Sequence, residues 1–403
     1  MNTKFIAQIR NLQQNNIVIL RDCRSNAHKE LLTQLTQGYT PIDLSLPMLS
    51  SLARRDAESF VAQLPLPVYL QNLQYAPQLL PLLAAQDVPC AKILASCTQS
   101  CALEKLAEKL SGVRFVDLPL GAGLNGIKFE SLQQVLNPDD CCRENLPPFT
   151  LEAEYLQNLS MRKPVDALSA LWQGERKAYG GDYGEYLQRV LQSDIMFLTT
   201  VSDSEKFYTF MQAAAAQTGE VVNFSRLAQK ANITPPTAKT WLQFLLGTGI
   251  VYLLEPVQHI GLKRLVSTKK LYFCDTGLAC ALLNLQNTQD LAQSEYLAQL
   301  EQNYMLNKIR ESYLNEGLVP RLRFYRDNNK KNIDLILLRD NILYPMMLAH
   351  KKLDAERVAF AFEVLVPYAA KHGYTIGNGA MVYPKCQLQE VLPNLWQVNT
   401  EFL

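Results

Sequence analysis

The chain has 403 residues, which at roughly 150 per domain leads to an expectation of two to three domains. Its 39 Lys and Arg against 38 Asp and Glu leave a formal charge of +1, so no global field selects a polyanionic partner. Charged residues make up 19% where about 25% is usual, and 18 Gly stand where about 28 are expected, so the residues that phosphate loops and metal sites need are scarce.

Polar residues interrupt the start, MNTKFIAQIRNLQQNN, at helical spacing, which excludes a signal-peptide core. IVIL (17–20) then reads as a buried strand leading into the polar RDCRSNAHKE and the helical ELLTQLTQ. PVYL (67–70), AKILAS (91–96) and VRFVDLPL (113–120) give three more strands, with helical stretches between them. Near-continuous apolar strands alternating with helices predict a parallel α/β sheet. NPDDCCRENLPP (137–148) is a loop by its Pro and Asn content and sets a boundary near 150. A helical connector over 151–204 follows.

Residues 205–288 read as helices, with FSRLAQKA and TPPTAKTWLQFLLGTG forming a helix-turn-helix, and then the strands VYLLEPV and KKLYFCD. Leu227, Ala228, Ile233, Ala238, Trp241, Leu242 and Leu245 have the spacing of its core. Lys263, Arg264, Lys269 and Lys270 lie between or beside the strands, which suggests a winged helix. If it reads DNA, Thr234, Thr237, Lys239 and Thr240 face the major groove, and the wing cations contact phosphates. The same module serves elsewhere for protein docking, since a fold alone specifies no partner. The last stretch, 289–403, gives a long helix, two strands around a turn in FYRDNNKKNIDLILLRDNILYPMMLAH, a helix at 354–371 and the strand MVYP.

Strand, loop and helix in that order are the setting of the phosphate loop GxxxxGK[ST]. Here residues 22–29 read Asp-Cys-Arg-Ser-Asn-Ala-His-Lys. Asp22 opposes phosphate, Ala27 adds a Cβ, and Lys29 occupies the place of the metal-binding hydroxyl. Arg24, His28 and Lys29 are the cations that remain, and a one-residue slip sets Lys29 in the lysine's place. The second strand of such a site ends in Asp-Glu; this one ends in Gln71-Asn72, amides that make a poor general base and a poor hard-cation site.

With NIVILRDCRSNAHKELLTQL, VYLQNLQYAPQLLPLL, ILASCTQSCALEKLAEKLSG, YGEYLQRVLQSDI, FSRLAQKANITPPTAKTWLQFLLGTGIVYLLEPV and STKKLYFCDTGLACALL taken together, the chain resembles a bacterial and archaeal family of AAA-type ATP-binding proteins with a C-terminal domain of unknown function. The resemblance implies a P-loop NTPase-like α/β domain over 1–150, a winged-helix domain over 205–288 and a restriction-endonuclease-like α/β domain over 289–403. Ser96-Cys97-Thr98 stands for the family's Thr-Gly-Ser, and Arg114 falls one place late for an arginine finger. The nuclease-like site calls for a helix Glu, a strand Asp and a Glu-x-Lys. These positions hold Gln302 (beside Glu301), Asp334, and Met347 with Ala349, while Asn332 stands where a Glu is common. Asp334 alone cannot clamp a metal, and a residue of its kind ordinarily caps its own backbone at a turn or strand end. His350 and Lys351 lie just past the site.

Three sites thus keep their flanks and lose their catalytic residues. The expectation is a pseudo-ATPase, an interaction or scaffold protein without a cofactor or metal, with an unidentified protein partner and DNA as a candidate second. The alternative is a nucleotide-binding AAA-type ATPase with a relaxed phosphate loop, for which ATP and Mg²⁺ would return; nuclease activity ranks last. Nine Cys without a CxxC pair and the lack of any apolar run near about 18 residues complete the expectation of a cytoplasmic protein free of the membrane.

Overall fold

The structure, a computed structural model, describes residues 3–21, 29–86, 88–97, 103, 106–117, 151–152, 156, 165–174, 176, 182–189, 203–257, 268–314, 320–327 and 331–403. It is a mixed α/β chain of two compact units. The first comprises Met1–Cys141, Glu175–Tyr208 and Lys239–Ile250; the second comprises Cys142–Gly174, Thr209–Ala238 and Val251–Leu403.

The first unit holds β1 (Ile17–Arg21), β2 (Thr40–Asp43), β3 (Val68–Gln71), β4 (Ile93–Cys97) and β5 (Val113–Asp117). They form one parallel sheet in the order β2-β3-β4-β1-β5. Alternation along β1 explains its continuous apolar run. Ile17 and Ile19 pack on one face with Val68, Leu70 and Ala95, while Val18 and Leu20 pack on the other with Tyr69 and Leu94. Helices cover both faces: Ile9 and Leu35 join the second cluster, and Ala53, Val61 and Leu80 join the first. Each Val, Leu or Ile among them contributes about 1.5–3 kcal/mol by leaving water.

The second unit is built on a mixed sheet. Its strands are β6 (Val251–Pro256), β7 (Lys270–Phe273), β8 (Arg321–Arg326), β9 (Asn332–Arg339), β10 (Ile342–Leu348), β11 (Thr375–Ile376), β12 (Gly379–Tyr383), β13 (Gln389–Leu392) and β14 (Leu395–Asn399). The order is β13-β14-β12-β10-β9-β8-β6-β7, with β11 on β10. β6 and β7 are an antiparallel pair that continues the sheet through Glu255 and Pro256 against β8, so the strands expected for the wing and those of the C-terminal stretch share one sheet. β9 and β10 turn at Asp340 and Asn341, both left-handed, as a two-residue hairpin loop requires. Helix Leu297–Leu314 places Met305, Leu306 and Ile309 against Leu335, Leu337 and Met346; helices Ala355–Phe362 and Val366–His372 cover the opposite face through Val358, Phe362 and Ala369.

The sheet is irregular between β8 and β9. Pairing passes from Arg323 opposite Ile336 to Tyr325 opposite Ile333, so β9 carries an extra residue where Asp334 lies. Such a bulge re-aims a side chain.

Among the described residues no helix is long and apolar enough to cross a membrane.

Candidate functional site

In the first unit, the carboxyl ends of β1, β4 and β5 are in register at Arg21, Cys97 and Asp117. Arg24 and His28 lie outside the described residues. Lys29 opens helix Lys29–Leu35. Gln71 ends β3 beside Asp43 of β2, and Asn72 follows in the left-handed region at φ 59°, which Asn tolerates better than most residues. Its Nδ2 donates to Asp43 Oδ1 at 2.9 Å, and Gln74 Nε2 donates to Asn72 Oδ1 at 3.3 Å. Asp43 Oδ1 also accepts from the Ser45 N–H at 2.9 Å. The amide at 72 is therefore matched to its neighbour, and a carboxylate there would face another. Ser96 is buried and accepts from Tyr69 OH at 3.0 Å, while Arg114 is exposed and donates to the Val113 carbonyl. Thr98 lies outside the described residues.

The second unit brings Asp334 together with Lys270, a pairing that the sequence pattern does not predict. Asp334 is neither a turn nor a strand-end residue capping its own backbone: it sits within β9, buried, aimed by the bulge. Asn332 Nδ2 donates to its Oδ1 at 2.5 Å, and the Leu348 N–H donates to its Oδ2 at 3.1 Å. Lys270 Nζ lies 3.8 Å from Oδ1 and 5.0 Å from the centre of the Phe324 ring. Lys270 is thus not a solvated wing cation. Burial pushes its pKa below the ordinary 10.5, Asp334 pulls it back in part, and Arg326 lowers it further. Burial, with Asp334 nearby, also raises the Tyr272 phenol, whose hydroxyl has no hydrogen-bond partner among the described residues. Met347 and Ala349, at the expected Glu-x-Lys positions, pack against the apolar cluster under helix Ala355–Phe362.

Helix Leu297–Leu314 sets a polar seam along β7. Asn303, fully buried, accepts from the Phe273 N–H and donates to the Phe273 carbonyl, and it accepts from the Thr218 hydroxyl. Asn307 Nδ2 donates to the Phe273 and Cys274 carbonyls. Gln302 comes close to Gly219, where a Cβ would meet its Oε1 at 3.1 Å. Glu301, one residue earlier, accepts from His350 Nδ1 at 2.6 Å. Burial raises the Glu301 carboxyl, and His350 opposes that rise. Among the described residues no three His, Cys, Asp or Glu come together to hold a metal.

In the helix-turn-helix stretch, helices Phe224–Ala231 and Pro235–Gly247 form as expected, and the expected core positions are buried except Ile233, which is half-buried. Asn223 caps the first helix by accepting from the Arg226 N–H, and Asn232 ends it in the left-handed region. Thr234 Oγ1 caps the second by accepting from the Thr237 N–H, and the two hydroxyls bond each other at 2.8 Å, so both Thr237 polar groups engage the cap. Lys239 is exposed. Lys269 pairs with Glu255 at 2.7 Å, which Arg323 also meets at 3.3 Å. Of the four cations expected in a wing, Lys269 and Lys270 are therefore engaged within the fold, and Lys263 and Arg264 lie outside the described residues.

Residues 167–289 match the model of a domain of unknown function, DUF8612. The matched stretch contains Lys270 and ends before Asp334. No curated protein matches the chain.

Proposed function

We propose that the chain is a pseudo-ATPase of AAA-like ancestry that acts as an interaction or scaffold protein in the cytoplasm, without ATP hydrolysis or DNA cleavage. The observation that supports this most is the Lys270–Asp334 pair: the carboxylate that a nuclease-like centre would need is neutralised by a protein ammonium and two hydrogen bonds. A divalent cation there would have to displace a buried positive charge. The hydrogen bond from Asn72 to Asp43 supports the same reading in the first unit, because a general base at position 72 would meet like charge.

The partner is a protein, and the winged-helix reading of 205–288 keeps DNA as a second candidate through Thr237, Lys239, Lys263 and Arg264. The two internally engaged lysines weaken that candidate, since backbone affinity grows with the number of free cations.

Thermal denaturation with millimolar ATP, with and without Mg²⁺, tests the proposal. A ligand at 100 times its Kd adds about 2.7 kcal/mol, so a rise in melting temperature would favour nucleotide binding by a relaxed phosphate loop. No rise is expected. Mg²⁺-dependent cutting of plasmid DNA that disappears in Asp334→Ala would refute the loss of the nuclease-like centre.

A further inference from the structure

A cavity of about 830 Å³ opens in the second unit, apart from the Asp334 pair. Its lining follows the carboxyl ends of β10, β12 and β14, three strands that run parallel. Open α/β sheets place ligands outside the carboxyl ends of parallel strands, and the volume falls in the roughly 300–1,000 Å³ range of small-molecule sites.

The charges on its wall are of both signs but differ in how they are engaged. Asp166 caps helix Ala167–Gln173, accepting from the Ser169 N–H and hydroxyl, with Lys385 a weaker influence on it. Glu301 holds His350, and Glu401 accepts from Asn399 Nδ2 at 3.5 Å. Lys351, Lys352 and Lys385 are exposed and form no ion pair among the described residues. Lys385 sits at φ 59°, a backbone state uncommon outside Gly, and its N–H donates to Asn399 Oδ1 at 3.2 Å, which fixes the loop that carries it. The His350 ring is oriented by Glu301, which accepts from its Nδ1, so Nε2 donates to an anion only when the ring is an imidazolium. Burial pushes the Cys386 thiol up to about 11, so it stays protonated and offers no nucleophile.

We propose that this cavity binds a small phosphorylated molecule, with its phosphate oxygens held by Lys351, Lys352 and Lys385. Lysines that form no ion pair among the described residues, set around a concavity at strand ends, are the arrangement that an oxyanion completes. This inference stands independently of the pseudo-ATPase reading.

Calorimetric titration of the full chain with inorganic pyrophosphate, at low salt and without Mg²⁺, tests it. One-to-one binding is expected in the wild type and in Lys371→Gln, an exposed lysine away from the cavity. Lys351→Gln and Lys385→Gln should each weaken it about tenfold, and Lys385→Glu more than Lys385→Gln. All these side chains are exposed, so the variants should keep the wild-type melting curve. Absence of binding up to about 1 mM overturns the proposal. So does an affinity unchanged when Lys351→Gln and Lys385→Gln are combined, which would put pyrophosphate elsewhere, the phosphate loop of the first unit included. Citrate bound as tightly as pyrophosphate would overturn the phosphate assignment.

Discussion

Lys270→Met removes an ammonium whose partner cannot move into water. The Lys270 and Asp334 side chains keep only 5% and 10% of their exposure, so substitution strands the carboxylate inside the second unit. At 3.8 Å and an effective dielectric of about 20, the two charges attract by about 4 kcal/mol. Breaking a buried pair from one side ordinarily costs about 3–5 kcal/mol. Two features reduce that here: Asp334 keeps its hydrogen bonds from Asn332 and Leu348, and the substitution also relieves the burial of Lys270 itself. The expected loss is about 2 kcal/mol, measured by urea denaturation. Adding Asp334→Asn should return most of it, since an amide keeps an acceptor for the Leu348 N–H and carries no charge. A loss under about 0.5 kcal/mol, or a double variant less stable than Lys270→Met alone, would refute neutralisation of Asp334 by Lys270. Asp334 would then be a carboxylate open to a metal.

Asn72→Asp should cost about 1–2 kcal/mol in thermal denaturation at neutral pH by setting a carboxylate against Asp43, with the loss shrinking in acid as one of the two is protonated. It should not produce ATP turnover. Asn303→Ala should cost about 3 kcal/mol in the same assay, because it leaves the buried Phe273 N–H without an acceptor and opens space in the seam. Should a duplex probe bind at all, Lys239→Ala should lower the salt slope of binding by about one; an unchanged slope would remove Lys239 from any DNA interface.

How far each feature is legible in the sequence depends on how locally it is encoded. β1, β3, β4 and β5 read as apolar runs because both of their faces are covered. β2, Thr40–Asp43, does not, since an edge strand with exposed Thr40 and Pro41 carries no such run. β13 and β14 escape sequence pattern for a similar reason: QEVL is half-exposed, and LWQVN carries buried polar residues. Gln71 and Asn72 are legible because a motif position tied to a strand end needs no tertiary knowledge. The Lys270–Asp334 pair does need it. A lysine opening the apolar run KLYF is the available signal, but the bulge that turns Asp334 toward it depends on the pairing of β8 with β9. Glu301 and His350 each stand beside the nuclease-like positions, but their bond joins a helix to a loop past β10 and has no sequence period to reveal it.

The shortage of Gly and charge acquires a physical meaning at these sites. At Asp334 an internal ammonium stands in the place of an external cation, and at Asn72 an amide answers Asp43 where a second carboxylate would repel it. Both arrangements satisfy a polar group from within the fold, buried at Asp334 and half-buried at Asn72, so neither retains the unmet charge that draws in a metal or a nucleotide. Lys351, Lys352 and Lys385 differ in that respect, being charged, exposed and unpaired among the described residues around a concavity. A fold that answers these two polar sites by internal pairing while leaving three cations open at another has the means to bind a ligand there. Such binding changes the protein's conformational equilibrium only if the ligand has differential affinity for its states.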